Sequence, residues 1–163
     1  MYNKIKFVAI ILARGNSKTI KKKNLISLWG KPLIYWSIKS CLKSKHISST
    51  WVSSDNLQIL RTAKKCGANI IKRPSKYAQD KSSSEISWMH AIRYLKKNNF
   101  DFTHVVAVQP TSPLRDAKDF DNAIVKFKKN KFDSLFSANK IHDHFVWDCK
   151  NDSIKANYNF KKR

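Results

Sequence analysis

The stretch "IKFVAIILARGNSKTIKKKN" (residues 5–24) decides the fold. Its first part, 5–12, is a near-continuous β-branched and apolar run. That is the pattern of a central parallel strand covered on both faces, not of a strand with one wet side. The second part turns at once into polar residues, carrying Arg14, Lys18, Lys21, Lys22 and Lys23 around a single glycine, Gly15. The apolar run is too short to span a bilayer, and Arg14 follows it without the small-residue cleavage pattern of a secretory leader. No further long apolar period begins until residue 32, so the first strand feeds a long connection, and long loops inside compact domains are commonly functional.

Working outward, strands and helices alternate. In 32–43, Leu33, Ile34, Ser37, Ile38, Cys41 and Leu42 fall at helical spacing, with Pro32 fitted to the first turn. A strand is expected over 49–54, a helix over 56–67 stopped by Gly67, and a strand over 68–74 broken by Pro74. In 82–99, Ile86, Met89, Ile92 and Leu95 make one helical face, and Ser82 with Glu85 fits a capping box. A further buried strand is expected over 104–109. A helix capped by Asp116 follows, with Phe120, Ile124 and Phe127 inward, and "SLFSA" (134–138) reads as a fifth strand. Such alternation predicts right-handed βαβ units, a mostly parallel sheet and a three-layer α/β architecture of Rossmann-like type. At 163 residues the expectation is one domain.

The charge is lopsided: 33 Lys and Arg stand against 11 Asp and Glu, giving +22, and no acidic residue precedes Asp55. Such a field attracts polyanions, whether nucleic acid, an anionic membrane or a phosphorylated small molecule, and a general lysine bias would produce it equally well. Three cysteines without a CxxC pattern argue against a disulfide framework or a structural zinc and suit a reducing cytoplasm. His142 and His144 would share a face of a strand, but no third His or carboxylate motif completes a metal site there.

Ligands of parallel sheets bind at the carboxyl ends of the strands, which directs attention to "ARGNSKTIKKKN", "RPSKYAQDKSSS" and "QPTSPLR". The first is neither a P-loop nor a dinucleotide fingerprint. Its backbone N–H groups, Ser17 and the cations Arg14, Lys18 and Lys23 could cradle a polyphosphate; a solvated cationic loop has the same composition. In the second, Arg73, Ser82 and Ser84 could meet a base or phosphate, or Ser82 could serve only as a helix cap and Arg73 only pair with Asp80. In the third, two prolines stiffen a turn that presents Gln109 to a sugar, or merely form a rigid turn with Arg115 in a salt bridge.

Taken together, "AIILARGNSKTIKKKNLISLWGKPLIYWSI", "VSSDNLQILRTAKKCGANIIKRPSKYAQDKSSS" and "VVAVQPTSPLRDAKDFDNAI" resemble the acylneuraminate (CMP-sialic acid type) cytidylyltransferases, in order and at the right spacing. The resemblance implies an αβα nucleotidyltransferase fold and transfer of CMP from CTP to a nonulosonic (sialic-type) sugar acid, releasing pyrophosphate. It assigns Arg14, Ser17, Lys23 and Asn24 to the triphosphate, with Arg14 and Lys23 as the catalytic cations. Arg73, Ser82 and Ser84 fall to the cytosine and ribose, and Gln109 to the acceptor sugar. Mg²⁺ is expected on the CTP phosphates, with its protein carboxylates expected beyond Arg163, because the family continues past the point where this chain stops. On that expectation the chain is a C-terminally incomplete member. Residues 139–163 would open a dimerisation arm, the full-length form would be a cytoplasmic homodimer, and no nucleic acid or membrane partner is implied. Three other readings stay open: a related nucleotidyltransferase activating another sugar, such as 3-deoxy-manno-octulosonate or a sugar phosphate; a non-catalytic CTP-binding fragment of the family; and a basic nucleic-acid-binding module. One departure stands out. The family's GGSKG is here Gly15-Asn16-Ser17-Lys18-Thr19, so two glycines are replaced.

Overall fold

A computed structural model of the chain describes residues 5–17, 20–79, 83–138, 147–150 and 153–156. The chain divides into two compact units, Met1–Lys131 and Phe132–Arg163. In the first, β1 (Phe7–Leu12) leads through a small hairpin of β2 (Ser27–Leu28) and β3 (Lys31–Pro32) into α1 (Leu33–Lys43). There follow β4 (Ile47–Ser54), α2 (Leu57–Lys65), β5 (Asn69–Lys72), α3 (Ser84–Lys97), β6 (His104–Val108) and α4 (Ala117–Asn130). The main sheet is entirely parallel, in the order β5-β4-β1-β6.

β1 reads as continuously apolar because both its faces are covered. Ala9 and Ile11 point into a core with Ile34 and Ile38 of α1, Ile59 and Ala63 of α2 and Phe120 of α4. Val8 and Ile10 point the other way, against Trp51, Ile71, Ala91 and Leu95, the last two from α3. The connections explain the layers. The chain steps from β1 to β4 to β5 in one direction and then crosses back to β6 on the far side of β1. Right-handed crossovers in opposite directions place their helices on opposite faces. The reversal opens a crevice between the carboxyl ends of β1 and β6, where such sheets bind ligands.

Some expectations shift. The inward face of α3 is Ser87, Ala91 and Leu95, with Trp88 and Ile92 half-buried, while Ile86 and Met89 are exposed. The small Ser87 and Ala91 sit against the layer below, which a count of large apolar side chains passes over. The cap of α3 is Ser83, whose hydroxyl accepts the Ile86 N–H; Ser82 lies outside the described residues. Among the described residues β6 is an edge of the sheet, and His104–Val106 are half-buried and Ala107 is exposed. Residues 134–138 are exposed and irregular, not a strand. Strand-forming composition needs a partner strand and a face to cover, and 134–138 has neither among the described residues. The second unit contains an antiparallel pair, β7 (Trp147–Lys150) and β8 (Ser153–Ala156). The pair His142 and His144 lies outside the described residues.

Candidate active site

Three loops build the site. After β1, the Ala13 N–H still donates to Ser53 across the sheet, and the chain then leaves it under tight control. The Gly15 N–H donates to Asp55 Oδ1 at 2.9 Å, and the Asn24 amide donates to the Arg14 carbonyl at 3.0 Å. Asn24 is thus a buried strut that pins the far end of the loop to its beginning. Just before it, Lys22 takes a left-handed conformation (φ 52°) that turns the backbone into a single 3-10 turn, Lys23–Leu25. Gly15 is glycine for want of room, not for its dihedral: a Cβ there would stand 2.8 Å from the Asn56 Cβ. Asn16 needs no left-handed backbone, since the described non-glycine residues with positive φ are Lys22, Trp29, Asn99 and Lys131. Asparagine in place of the family's glycine therefore costs no strain at 16; Thr19 lies outside the described residues.

After β5, the Arg73 N–H donates to the Ser54 carbonyl at 2.9 Å, which carries the strand pairing one residue further. The Arg73 side chain is 3% exposed and its guanidinium lies 3.9 Å from Asp55 Oδ1. Burial pushes this guanidinium below the ordinary arginine value; Asp55 opposes the fall and Arg14 adds to it. A 3-10 turn over Ser75–Tyr77 follows, tied to α3 by the Ser87 hydroxyl donating to the Tyr77 carbonyl at 2.9 Å. After β6, the Ser40 hydroxyl of α1 donates to the Arg115 carbonyl at 2.7 Å, so the loop with two prolines is anchored as well as stiff. The Arg115 guanidinium stacks over Phe120, 5.6 Å from the ring centroid.

These loops enclose a cleft of about 250 Å³ at the β1/β6 crevice. Every proposed site residue that the structure describes lines it: Arg14, Ser17, Lys23, Asn24, Arg73, Ser84 and Gln109. Ser82 lies outside the described residues. Lys21 and Lys22 are exposed and do not line the cleft. Among the described residues, Arg14, Lys23 and Arg73 are the charged members of the lining, with no Asp or Glu beside them. Such a concavity selects for anions.

Sequence reasoning missed Asp55, which organises the site from behind by gripping the first loop at Gly15 and the second at Arg73. A signal was present: it is the first acid of a cationic chain and it follows directly on a buried strand. Tyr77 and Thr111, which lie in the second and third of the loops singled out in the sequence, also line the cleft, as does Trp88 of α3, whose place there had no such signal.

Comparison with known proteins bears on what this cleft serves. The chain matches the cytidylyltransferase family over residues 8–159. It belongs to that family. It is 35% identical over 156 residues to N-acylneuraminate cytidylyltransferase A of Danio rerio, covering 91% of this chain and 35% of that protein. To a pseudaminic acid cytidylyltransferase of Campylobacter jejuni it is 36% identical over 138 residues, covering 84% of this chain and 60% of the relative. The chain therefore spans about a third to three-fifths of the length of these curated relatives. Among solved structures, a CMP:2-keto-3-deoxy-manno-octonic acid synthetase complexed with CTP superposes with a TM-score of 0.67 at 18% identity, over 77% of this chain and 48% of that one. A 4-diphosphocytidyl-2C-methyl-D-erythritol synthase gives 0.67 at 11% identity, over 98% of this chain and 71% of that one. At such identities the likeness is one of fold, and it is the fold expected of a cytidylyltransferase.

For Mg²⁺, the described part of this family member offers a poor donor set. No group of three or more His, Cys, Asp or Glu comes together among the described residues, and the cleft presents hydroxyl and amide oxygens instead of carboxylates. Asp55 is committed to Gly15 and Arg73. The described residues do not fit a protein-held Mg²⁺. Among the described residues no helix is long and apolar enough to cross a membrane.

Proposed function

We propose that this cytidylyltransferase binds CTP in the cleft at the β1/β6 crevice and transfers CMP to a nonulosonic, sialic-type sugar acid. The observation that carries the proposal is the convergence of Arg14, Lys23 and Arg73 with Gln109 in one cleft that has no carboxylate among its described lining residues. The activities for which the curated relatives are named, N-acylneuraminate and pseudaminic acid cytidylyltransferase, support the choice of acceptor.

In this proposal Arg14, Ser17 and Lys23 hold the triphosphate, and Asn24 keeps the loop carrying them closed on itself. Arg73 and Ser84 meet the nucleoside side, and Gln109 offers a donor and an acceptor to the sugar. The sugar's anomeric hydroxyl oxygen forms a bond to the α-phosphorus while the bond from that phosphorus to the pyrophosphate oxygen breaks. The hydroxyl proton passes to solvent, and the leaving pyrophosphate takes the bonding pair. Arg14 and Lys23 stabilise the charge that grows on the phosphates as this happens, which is where fixed cations contribute most. Residues 139–163, which include the β7–β8 pair, are proposed as part of a dimerisation arm, and the assembly as a cytoplasmic homodimer.

Pyrophosphate release from CTP, measured with and without N-acetylneuraminate or pseudaminic acid, tests the activity. Release that needs both CTP and a sugar acid is the expected result. CTP binding without release in the presence of any nonulosonic acid assigns the chain a binding role only. Failure to bind CTP in preference to ATP, GTP and UTP overturns the proposal.

A further inference from the structure

Outside the CTP cleft, a second concavity of about 470 Å³ lies between α1 and α2, lined chiefly by Lys31, Tyr35, Lys39, Thr62, Lys65 and Cys66. Among the described residues its charge is one-sided, with three ammonium groups and no carboxylate. Five of the described acids are engaged elsewhere. Asp55 holds Gly15 and Arg73, Asp101 pairs with Lys6, Asp116 and Asp119 close the capping box of α4, and Asp121 accepts from Ser44 and Lys45.

Two of the lysines share an aromatic neighbour. Lys31 Nζ and Lys39 Nζ lie 5.8 and 5.7 Å from the Tyr35 ring centroid, within the range at which a ring attracts an ammonium group. The carboxyl end of α2 could have neutralised the lysines through its free carbonyls. However, the Cys66, Gly67 and Ala68 N–H groups take the carbonyls of Thr62, Ala63 and Lys64.

We propose that this groove is a second anion site, taking a multiply charged, phosphate-bearing small molecule with Lys31, Lys39 and Lys65 as its counter-charges and the Thr62 hydroxyl as a neutral donor. The site is independent of the reaction proposed for the CTP cleft.

Cys66 provides a reporter inside the groove. Burial raises its thiol, while Lys39 and Lys31 pull it back down. An anion bound to those lysines therefore slows alkylation both by covering the sulfur and by quenching the charge that favours the thiolate. Cys41 stays silent, being fully buried with its thiol pushed up to about 12.

The experiment is iodoacetamide labelling of the intact chain, read at the Cys66 peptide by mass spectrometry, with inorganic pyrophosphate titrated at constant ionic strength. Saturable protection is expected, about tenfold at ten times the midpoint concentration. It should vanish in the Lys31→Gln/Lys39→Gln/Lys65→Gln variant, persist in the corresponding Lys→Arg variant, and persist in Arg14→Ala. Absence of slowing overturns the proposal, as does equal slowing by matched chloride, which would mean diffuse accumulation around a chain of charge +22. Protection surviving the triple Gln change, or lost in Arg14→Ala, overturns it too. So does protection by a DNA duplex without any by pyrophosphate, which assigns the groove to nucleic acid.

Discussion

Replacing Asp55 by alanine removes the acid that stands behind two of the three loops of the cleft. Its Oδ1 accepts the Gly15 N–H at 2.9 Å and lies 3.9 Å from the Arg73 guanidinium, with the two side chains 19% and 3% exposed. A hydrogen bond to a charged acceptor contributes about 1.5–3 kcal/mol. The gross attraction of unit charges at that separation is about 4 kcal/mol at an effective dielectric of 20, much of it offset by the desolvation of both partners. Arg73 gives little slack, because its Nε is buried without a partner even in the intact protein. Asp55→Ala is therefore expected to cost about 3 kcal/mol, a large share of the roughly 5–15 kcal/mol that a domain of this kind holds. Asp55→Asn keeps an acceptor for Gly15 and loses only the charge, so it should cost roughly half as much. Urea unfolding followed by far-UV circular dichroism reads both, and calorimetry with CTP should show weakened binding in both. A cost for Asp55→Ala within about 0.5 kcal/mol of zero, the ordinary range for a surface substitution, would refute the idea that this carboxylate holds the site together.

Other outcomes follow from the same geometry. Arg14→Ala and Lys23→Ala should each lower the rate of CMP transfer by two to three decades, about 3–4 kcal/mol, and weaken CTP in calorimetry; unchanged affinity removes them from the triphosphate site. Gly15→Ala forces a Cβ to 2.8 Å from Asn56, so a loss of about 1–3 kcal/mol is expected in urea unfolding, and a wild-type midpoint would contradict it. Asn56 caps α2 through bonds from the Gln58 and Ile59 N–H groups at 2.9 and 3.1 Å, and Asn56→Ala should cost about 1 kcal/mol in the same assay. His90 is held below its ordinary value of 6.5, by burial first and then by Arg73. A histidine depressed in the folded state contributes stability that is complete above the unfolded value and is lost as pH falls through the folded one. The urea midpoint should therefore drop as pH descends from 6.5, and the His90 imidazole should titrate below 6.5 by NMR; a titration at or above that value contradicts the burial seen here.

The sheet was legible in the sequence for a simple reason. A parallel strand buried on both faces must be apolar throughout, and β1 and the helices that follow it carry that requirement in order. The carboxyl-end rule points to the three loops, and Arg14, Ser17, Lys23, Asn24, Arg73, Ser84 and Gln109 do meet in one cleft. Patterns failed where side-chain size or pairing partners decide. Ser87 and Ala91 of α3 face the core because small groups pack close, and 134–138 is irregular, with no strand beside it among the described residues.

What the sequence determined by itself was the alternation of elements, the polarity of each loop and the excess of cations, since all of these depend on local composition and period. The tertiary structure alone decided which cations act together. Lys22 and Lys23 are adjacent in the chain, yet only Lys23 lines the cleft, after a left-handed turn at Lys22. Asp55, forty residues from Gly15, closes the loop that the first strand opens. Contacts of that separation are settled by how the strands stack side by side, and no local pattern records them.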